Sequence, residues 1–201
     1  MDPSLERKLR DGARSVGVEV ETSVVTALGR YLDILILWNR RVNLSAVRDP
    51  EAIVEKHFVD SLAVLLHVPA AARTLIDVGS GAGFPGAVLA LARPDLDVTL
   101  VESIHKKTAF LEALKRQVPI TNVHVRTARA ESLDLKADVA VSRATWDVPE
   151  WLERGASLVQ PGGTVLGMEG SELHELPRGA TRHPYKLGNA QRAIVVFHVE
   201  R

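Results

Sequence analysis

Residues Thr74 to Gly86 read TLIDVGSGAGFPG, and they hold the residues most able to do chemistry. A short apolar run (Leu75, Ile76, Val78) leads into Gly79, Gly81 and Gly83, with Asp77 just ahead of the first glycine. This pattern predicts a buried strand entering a glycine-rich turn where backbone can approach a ligand closely, because glycine has no Cβ and accepts positive φ. A dinucleotide site places its pyrophosphate at the following helix N-terminus, and the carboxylate of Asp77 opposes such an anion. S-adenosylmethionine instead carries a sulfonium and an ammonium, charges that Asp77 favours. The bare Gly81–Gly83–Gly86 spacing also fits nicotinamide-dinucleotide proteins.

Further along, Glu102 closes an apolar run about twenty residues after the turn, where a carboxylate can accept from a ribose diol. Arg129-Ala130-Glu131 follows the third such run and can meet an adenine edge, and Ser142-Arg143 ends the fourth. Arg143 at a strand end beside the crevice favours a site role over a surface ion pair. His57 sits on an apolar helical face, which favours a locally hydrogen-bonded core histidine over a catalytic one. Trp38 ends an apolar stripe and reads as core. The seven histidines show no spacing that groups them as metal ligands, so no metal site is expected.

The elements that must hold these residues follow from periodicity. Residues 1–70 read as a helical extension and 71–201 as one α/β unit. Helical spacing runs from Val24 to Trp38, with Thr22 or Ser23 as cap; a second helix starts at Asp49-Pro50, aspartate as N-cap and proline at the first position. From Arg73 strands and helices alternate. Strands are expected at Thr74–Val78, Val98–Glu102, Val123–Arg126, Val139–Ser142, Thr164–Gly167 and Ala193–Val199, and helices at Gly86–Arg93, Ile104–Gln117 and Pro149–Gln160 with Pro161-Gly162-Gly163 as the turn out. Alternation of this kind predicts a doubly wound, mostly parallel sheet with its ligand crevice at the first strand's C-terminal end.

Composition sets the outer bounds. The 201 residues suffice for one domain with a modest extension, and 46% of them are apolar. Formal net charge is zero, but Lys106, Lys107, Lys115, Arg116, Arg126 and Arg129 concentrate positive charge between Ser103 and Ala130. There is no cysteine, which excludes disulfides and thiolate chemistry. Met1–Arg7 lacks the apolar core of a signal peptide and no apolar run is long enough to span a bilayer, so a cytoplasmic protein is expected.

The stretch WNRRVNLSAVRDPEAIVEKHFVDSL (Trp38–Leu62), followed by DVGSGAGFPG, VES, ARAE and SRA, resembles the bacterial small-subunit rRNA guanine-N7 methyltransferases, the glucose-inhibited division protein B family. The resemblance covers nearly the whole chain. It implies a class I, Rossmann-like fold, S-adenosylmethionine as cofactor, and 16S rRNA or the small ribosomal subunit as partner, methylated at N7 of the guanine at position 527. Cofactor contacts would fall on Gly79, Phe84, Ala130, Glu131 and Arg143, while Asp77, Gly81, Gly83 and Glu102 match general features of that methyltransferase fold. Guanine N7 offers a free lone pair, so attack on a sulfonium methyl needs alignment and no general base. Arg143 and Asn43 are the candidate catalytic, positioning groups. Arg143 would donate to guanine O6 or hold a phosphate; Asn43 would read a base edge or cap a turn. Arg40, Arg41, Arg48, Lys106, Lys107 and Arg126 are candidates for the RNA backbone. The chain departs from the family pattern at Glu169, where a lysine is usual, which would remove a positive charge from an RNA-facing edge. A small-molecule methyltransferase on the same fold and a dinucleotide- or RNA-binding module are the competing readings.

Overall fold

A computed structural model describes residues 1–200. Strands form at β1 (Thr74–Val78), β2 (Asp97–Glu102), β3 (Val123–Thr127), β4 (Ala137–Arg143), β5 (Val159–Glu169), β6 (Ala180–Leu187) and β7 (Ala190–His198). They build one sheet in the order β3-β2-β1-β4-β5-β7-β6, with β1 to β5 parallel and β7 antiparallel between β5 and β6. The chain leaves β1 toward β2 on one side and later returns to β4 on the other. That reversal opens a crevice above the C-terminal ends of β1 and β4, where α/β sheets place ligands.

Helices α5 (Gly86–Ala92) and α6 (His105–Gln117) cover one face, and α7 (Val148–Ala156) covers the other. The first face also carries the N-terminal helices α1 (Pro3–Ser15) and α2 (Thr22–Asn39), and a long stretch made of α3 (Pro50–Ile53), a π-helical turn (Val54–Val59), α4 (Asp60–Ala63) and a 3₁₀ turn (Val64–His67). Asp49 caps that stretch as expected, its carboxylate accepting from the Ala52 amide at 2.8 Å, with Pro50 in the first turn. The expected Thr22 or Ser23 cap of α2 is not used; Glu21 stands at that position, and its side chain makes no capping bond to the helix backbone.

Burial explains the packing. Tyr31 of α2 is fully buried, with Phe84, Phe58 and Phe110 at ring-centroid distances of 5.3, 5.4 and 6.5 Å. On the opposite face Trp151 of α7 is buried against Val165 and Val195, and its indole N–H donates to the Leu166 carbonyl at 2.8 Å, satisfying its polar atom. One apolar cluster runs from Leu9 in α1 to Ile194 in β7. The change near residue 70 is therefore a change of element type and not a break in the core.

Two expectations are corrected. Pro161-Gly162-Gly163 does not end a helix: α7 stops at Ala156, and the triplet lies inside β5, where the register with β4 shifts and Gly162 takes φ +82°. Strand β6, at the sheet edge and containing Pro184, carries too many polar residues to show as a strand in sequence. Among the described residues no helix is long and apolar enough to cross a membrane. Since α1 and α2 bury the outer side of the helical layer, a chain starting at residue 71 is expected to aggregate or remain unfolded. Circular dichroism and urea titration of that fragment check this; a cooperative native transition would contradict it.

Candidate active site

Among the described residues, the turn after β1 bonds every one of its backbone donors except the Ala82 amide. The amides of Gly79 and Ser80 both donate to the Val101 carbonyl (2.9 and 3.0 Å), and those of Gly83 and Phe84 donate to the Ser80 carbonyl (2.7 and 3.0 Å). The Gly81 amide donates to Glu102 Oε2 at 3.0 Å. Gly79, Gly81 and Gly83 all have positive φ (74°, 57° and 92°), which is what so tight a loop requires. The three do different work. A Cβ on Gly79 would strike the Thr145 side chain, and one on Gly83 would strike the Tyr31 hydroxyl and crowd Ala87. At Gly81 it would enter open space in the crevice, its nearest contact the Gly79 carbonyl oxygen at 3.8 Å. Gly83 is thus a packing glycine that does not line the crevice, which corrects its expected place among the ligand contacts.

Asp77 is corrected too. It is fully buried under the turn, and its Oδ2 accepts from the Gly86 amide at 2.9 Å, at the start of α5. Oδ1 has no hydrogen-bond partner among the described residues. Burial raises its pKa to about 7, partly offset by the Gly86 bond. Asp77 therefore does not line the crevice; its carboxylate occupies the N-terminus of α5, where a phosphate would otherwise sit.

Glu102 lines the crevice, with Oε1 accepting from the Ile104 amide (2.9 Å), Oε2 from Gly81, and Lys107 Nζ 3.6 Å from Oε2. Two amides fix the carboxylate while lone pairs remain for hydroxyl donors. Lys107, expected on the RNA face, sits inside this wall. Ala130 and Glu131 form a 3₁₀ turn at the rim (Ala130–Ser132), Glu131 paired to Arg154 at 3.0 Å. Trp146, stacked on Trp151 at 5.7 Å, closes that side. The enclosed volume is about 680 Å³, within the range of small-molecule sites.

The opposite wall comes from the helical extension. Phe84 lies between Tyr31 and the His57 ring, 4.7 Å from the latter, with the Arg143 guanidinium 5.2 Å above it. Arg143 Nη1 donates to the Lys56 carbonyl (3.1 Å) and to Asp60 Oδ2 (3.2 Å). His57 lines the crevice; burial and the adjacent Arg143 lower its pKa to about 4, so it is neutral near pH 7. Its bonds define the tautomer. The Lys56 carbonyl can only accept, so Nδ1 carries the proton and donates to it (3.0 Å); in the neutral ring Nε2 then accepts from Ser45 Oγ (2.7 Å), which itself accepts from the Val47 amide (3.0 Å). The sequence reading of His57 as locally bonded holds, but the ring also borders the site.

Asn39 organises the loop that brings Ser45 there. It is buried, with Oδ1 accepting from the Leu44 and Ser45 amides (2.9 and 3.1 Å) and Nδ2 donating to the Ser45 carbonyl (2.8 Å). Asn43 is exposed outside the crevice, and its side chain accepts from the Arg48 side chain at 3.2 Å. Arg40, Arg41, Arg48, Lys106 and Arg126 are exposed. Arg40, Arg41 and Arg48 flank the Leu44–Ser45 wall in sequence, and Lys106 and Arg126 flank the Glu102–Ala130 wall. Glu169 is corrected: it is buried and paired with Arg182 and the His174 amide, so it removes no charge from an outer edge. Asn39, Ser45, Asp60 and Tyr31 carry no mark in sequence: Asp60 and Tyr31 meet partners far along the chain, and Asn39 and Ser45 act within an irregular loop that no periodicity signals.

A match to the family described as rRNA small subunit methyltransferase G spans residues 25–201. A protein named ribosomal RNA small subunit methyltransferase G from Myxococcus xanthus (strain DK1622) is 40% identical over 212 aligned residues, 97% of each chain. Its counterpart from Anaeromyxobacter dehalogenans (strain 2CP-C) is 43% identical, covering 86% of this chain and 82% of its own. The chain belongs to the rRNA small subunit methyltransferase G family. Among solved structures, a SAM dependent methyltransferase from Aquifex aeolicus superposes with TM-score 0.58 at 16% identity (77% of this chain, 96% of that one). MtNAS, solved in mutant form in complex with S-adenosylmethionine, gives 0.58 at 13% (87% and 75%). These likenesses show the class I methyltransferase fold, as expected from the alternation of elements.

Beneath the crevice lies a buried acid whose folded pKa is above its unfolded value. Asp77 thus contributes stability that is full below about pH 4 and is lost as pH rises through about 7. Asp77→Asn is expected to remove roughly 1 kcal/mol of the stability change between pH 6 and pH 8. Urea unfolding at the two pH values measures it; the same pH slope in both proteins would contradict the burial argument.

Proposed function

We propose that this chain methylates N7 of a guanine in 16S rRNA, the one at position 527, using S-adenosylmethionine. The observation that carries the cofactor reading is the nearly saturated turn. The amides of Gly79, Ser80, Gly81, Gly83 and Phe84 are bonded within the fold, and the start of α5 already holds the carboxylate of Asp77. A pyrophosphate would find few donors there and one buried acid beneath it. The crevice instead offers Glu102 at the position for a ribose diol and space above Gly81 that a side chain would fill, which suits an uncharged nucleoside with a cationic tail.

When bound, S-adenosylmethionine supplies an electrophilic methyl on its sulfonium. The chain's own residues then have to hold the base and exclude water. Gly79, Gly81 and Glu102 would seat the nucleoside, with Ala130 and Glu131 at the adenine side and Phe84 below. Arg143 would donate to guanine O6, orienting the purine so that N7 faces the methyl. His57, neutral and bonded at both nitrogens, has no free lone pair to act as a base, and N7 alkylation needs none. Arg40, Arg41 and Arg48, which flank the Leu44–Ser45 wall in sequence, and Lys106 and Arg126, which flank the Glu102–Ala130 wall, are exposed and would hold phosphates; exposed basic residues on both sides favour a polyanionic substrate over a small metabolite.

Two measurements test this reading. Purified protein with labelled S-adenosylmethionine is expected to methylate small-subunit rRNA or particles lacking the modification, at a guanine that becomes cleavable by reduction and aniline, the signature of N7 alkylation. A folded protein that binds the cofactor and leaves that RNA unlabelled would end the proposal. Gly81→Val is expected to weaken S-adenosylmethionine more than about tenfold, equal to ~1.4 kcal/mol; unchanged affinity in calorimetry would remove the turn from the cofactor site.

A further inference from the structure

Asp60 is fully buried, yet three donors from three different strands converge on its carboxylate. Arg143 Nη1 of β4 reaches Oδ2 at 3.2 Å, Arg192 Nη2 of β7 reaches Oδ2 at 2.9 Å, and the Tyr185 hydroxyl of β6 donates to Oδ1 at 2.6 Å. Burial and the adjoining carboxylate raise the Tyr185 pKa, so the phenol stays neutral and serves as a donor. One carboxylate thus faces two guanidiniums, and the cluster keeps a net positive charge beside the crevice. A buried acid with this set of partners has a more specific effect than filling space: it fixes where each guanidinium points.

The consequence for Arg143 is geometric. Asp60 and the Lys56 carbonyl both take Nη1, from the side away from the crevice. The His57 tautomer leaves Nδ1 as a donor, so its 3.4 Å approach to Arg143 Nη2 offers no acceptor. Among the described residues Nη2 and Nε therefore have no acceptor, on a side chain that is 15% exposed. The carbonyl of Lys56 points here because the helix widens into a π turn over Val54–Val59, a local irregularity frequent at functional sites. The fold holds one edge of the guanidinium and leaves the other for a ligand.

We propose that Asp60 is a positioning residue for methyl transfer, acting through Arg143 by anchoring Nη1 so that the free edge of the guanidinium meets the target base. This rests on the proposed function for the identity of that base, and the test separates the two. Arginine side-chain ¹⁵N spectra of the full chain, with the Arg143 signals assigned from Arg143→Lys, are expected to show a slowly rotating guanidinium. Asp60→Asn, which keeps the shape and loses the charge, should collapse those signals into fast rotation. It should lower kcat by about 100-fold, as small misplacements of reacting groups do, while S-adenosylmethionine affinity changes less than about threefold. Added to Arg143→Ala, it should lower kcat no further. Unchanged Arg143 signals, or losses that multiply in the double variant, would overturn the proposal. If Asp60→Asn does not fold, Tyr185→Phe releases one oxygen of the same carboxylate; it should lower kcat several-fold in the natural background and have no effect beside Arg143→Ala. Equal losses in both backgrounds would overturn the proposal. If the unaltered protein transfers no methyl to small-subunit rRNA, the functional reading fails, and the Arg143 signals still decide the positioning role.

Discussion

Two carboxylates hold the turn after the first strand, and the rest of the site is built on that turn. Asp77 bonds the first amide of α5 from below, and Glu102 bonds the Gly81 amide from the neighbouring strand. With the amides of Gly79, Ser80, Gly83 and Phe84 closed on Val101 and Ser80, the backbone has little left to offer an anion. Such a loop is rigid at the cost of three left-handed residues, which only glycine adopts without strain. Free N–H groups and an open helix end are the equipment of a phosphate site; here the helix end and every amide of the turn but that of Ala82 are occupied. The feature that distinguishes ligand classes is therefore a satisfied hydrogen-bond network beneath the crevice rather than a charge inside it.

The second wall of the site belongs to the helical extension. Ser45, His57 and Phe84 meet there because Asn39 folds the 40–48 loop inward and because Tyr31 and Phe58 pack against Phe84. The Asp60 cluster then joins this extension to β4, β6 and β7 by charge. Removing one partner of a buried ion pair leaves an uncompensated charge, so such clusters resist piecemeal change. Here the same contacts set the direction of Arg143. Stability and site geometry are thus coupled through a single carboxylate.

Much of this was legible before any coordinates. The glycine turn, Glu102 and Arg143 stand at strand ends, and their places follow from the alternation of strands and helices alone. The direction of Asp77 was open to the same reasoning: side chains alternate along a strand, so Asp77 shares the face of Leu75, beneath α5, while Ile76 and Val78 face the other core. Other features were beyond local pattern. Asp60 meets residues 83 to 132 positions away in sequence, and nothing near it marks it as an ion-pair centre. Strand β6 is an edge strand whose polar residues match solvent rather than a core, and the Pro161–Gly163 bulge looks like a turn because its residues are turn residues. Glu169 shows the same limit from the other direction. A departure from a family pattern reads as a lost surface charge until Arg182 is found against it in the fold.

The central claim is that the crevice is built for a cationic nucleoside and closed to a pyrophosphate. Isothermal calorimetry of the full chain with S-adenosylmethionine and, separately, with a nicotinamide dinucleotide tests it most directly. The account predicts saturable one-to-one binding of S-adenosylmethionine and no measurable heat from the dinucleotide at the same concentrations. Tight dinucleotide binding, or a dinucleotide that displaces S-adenosylmethionine, would contradict it.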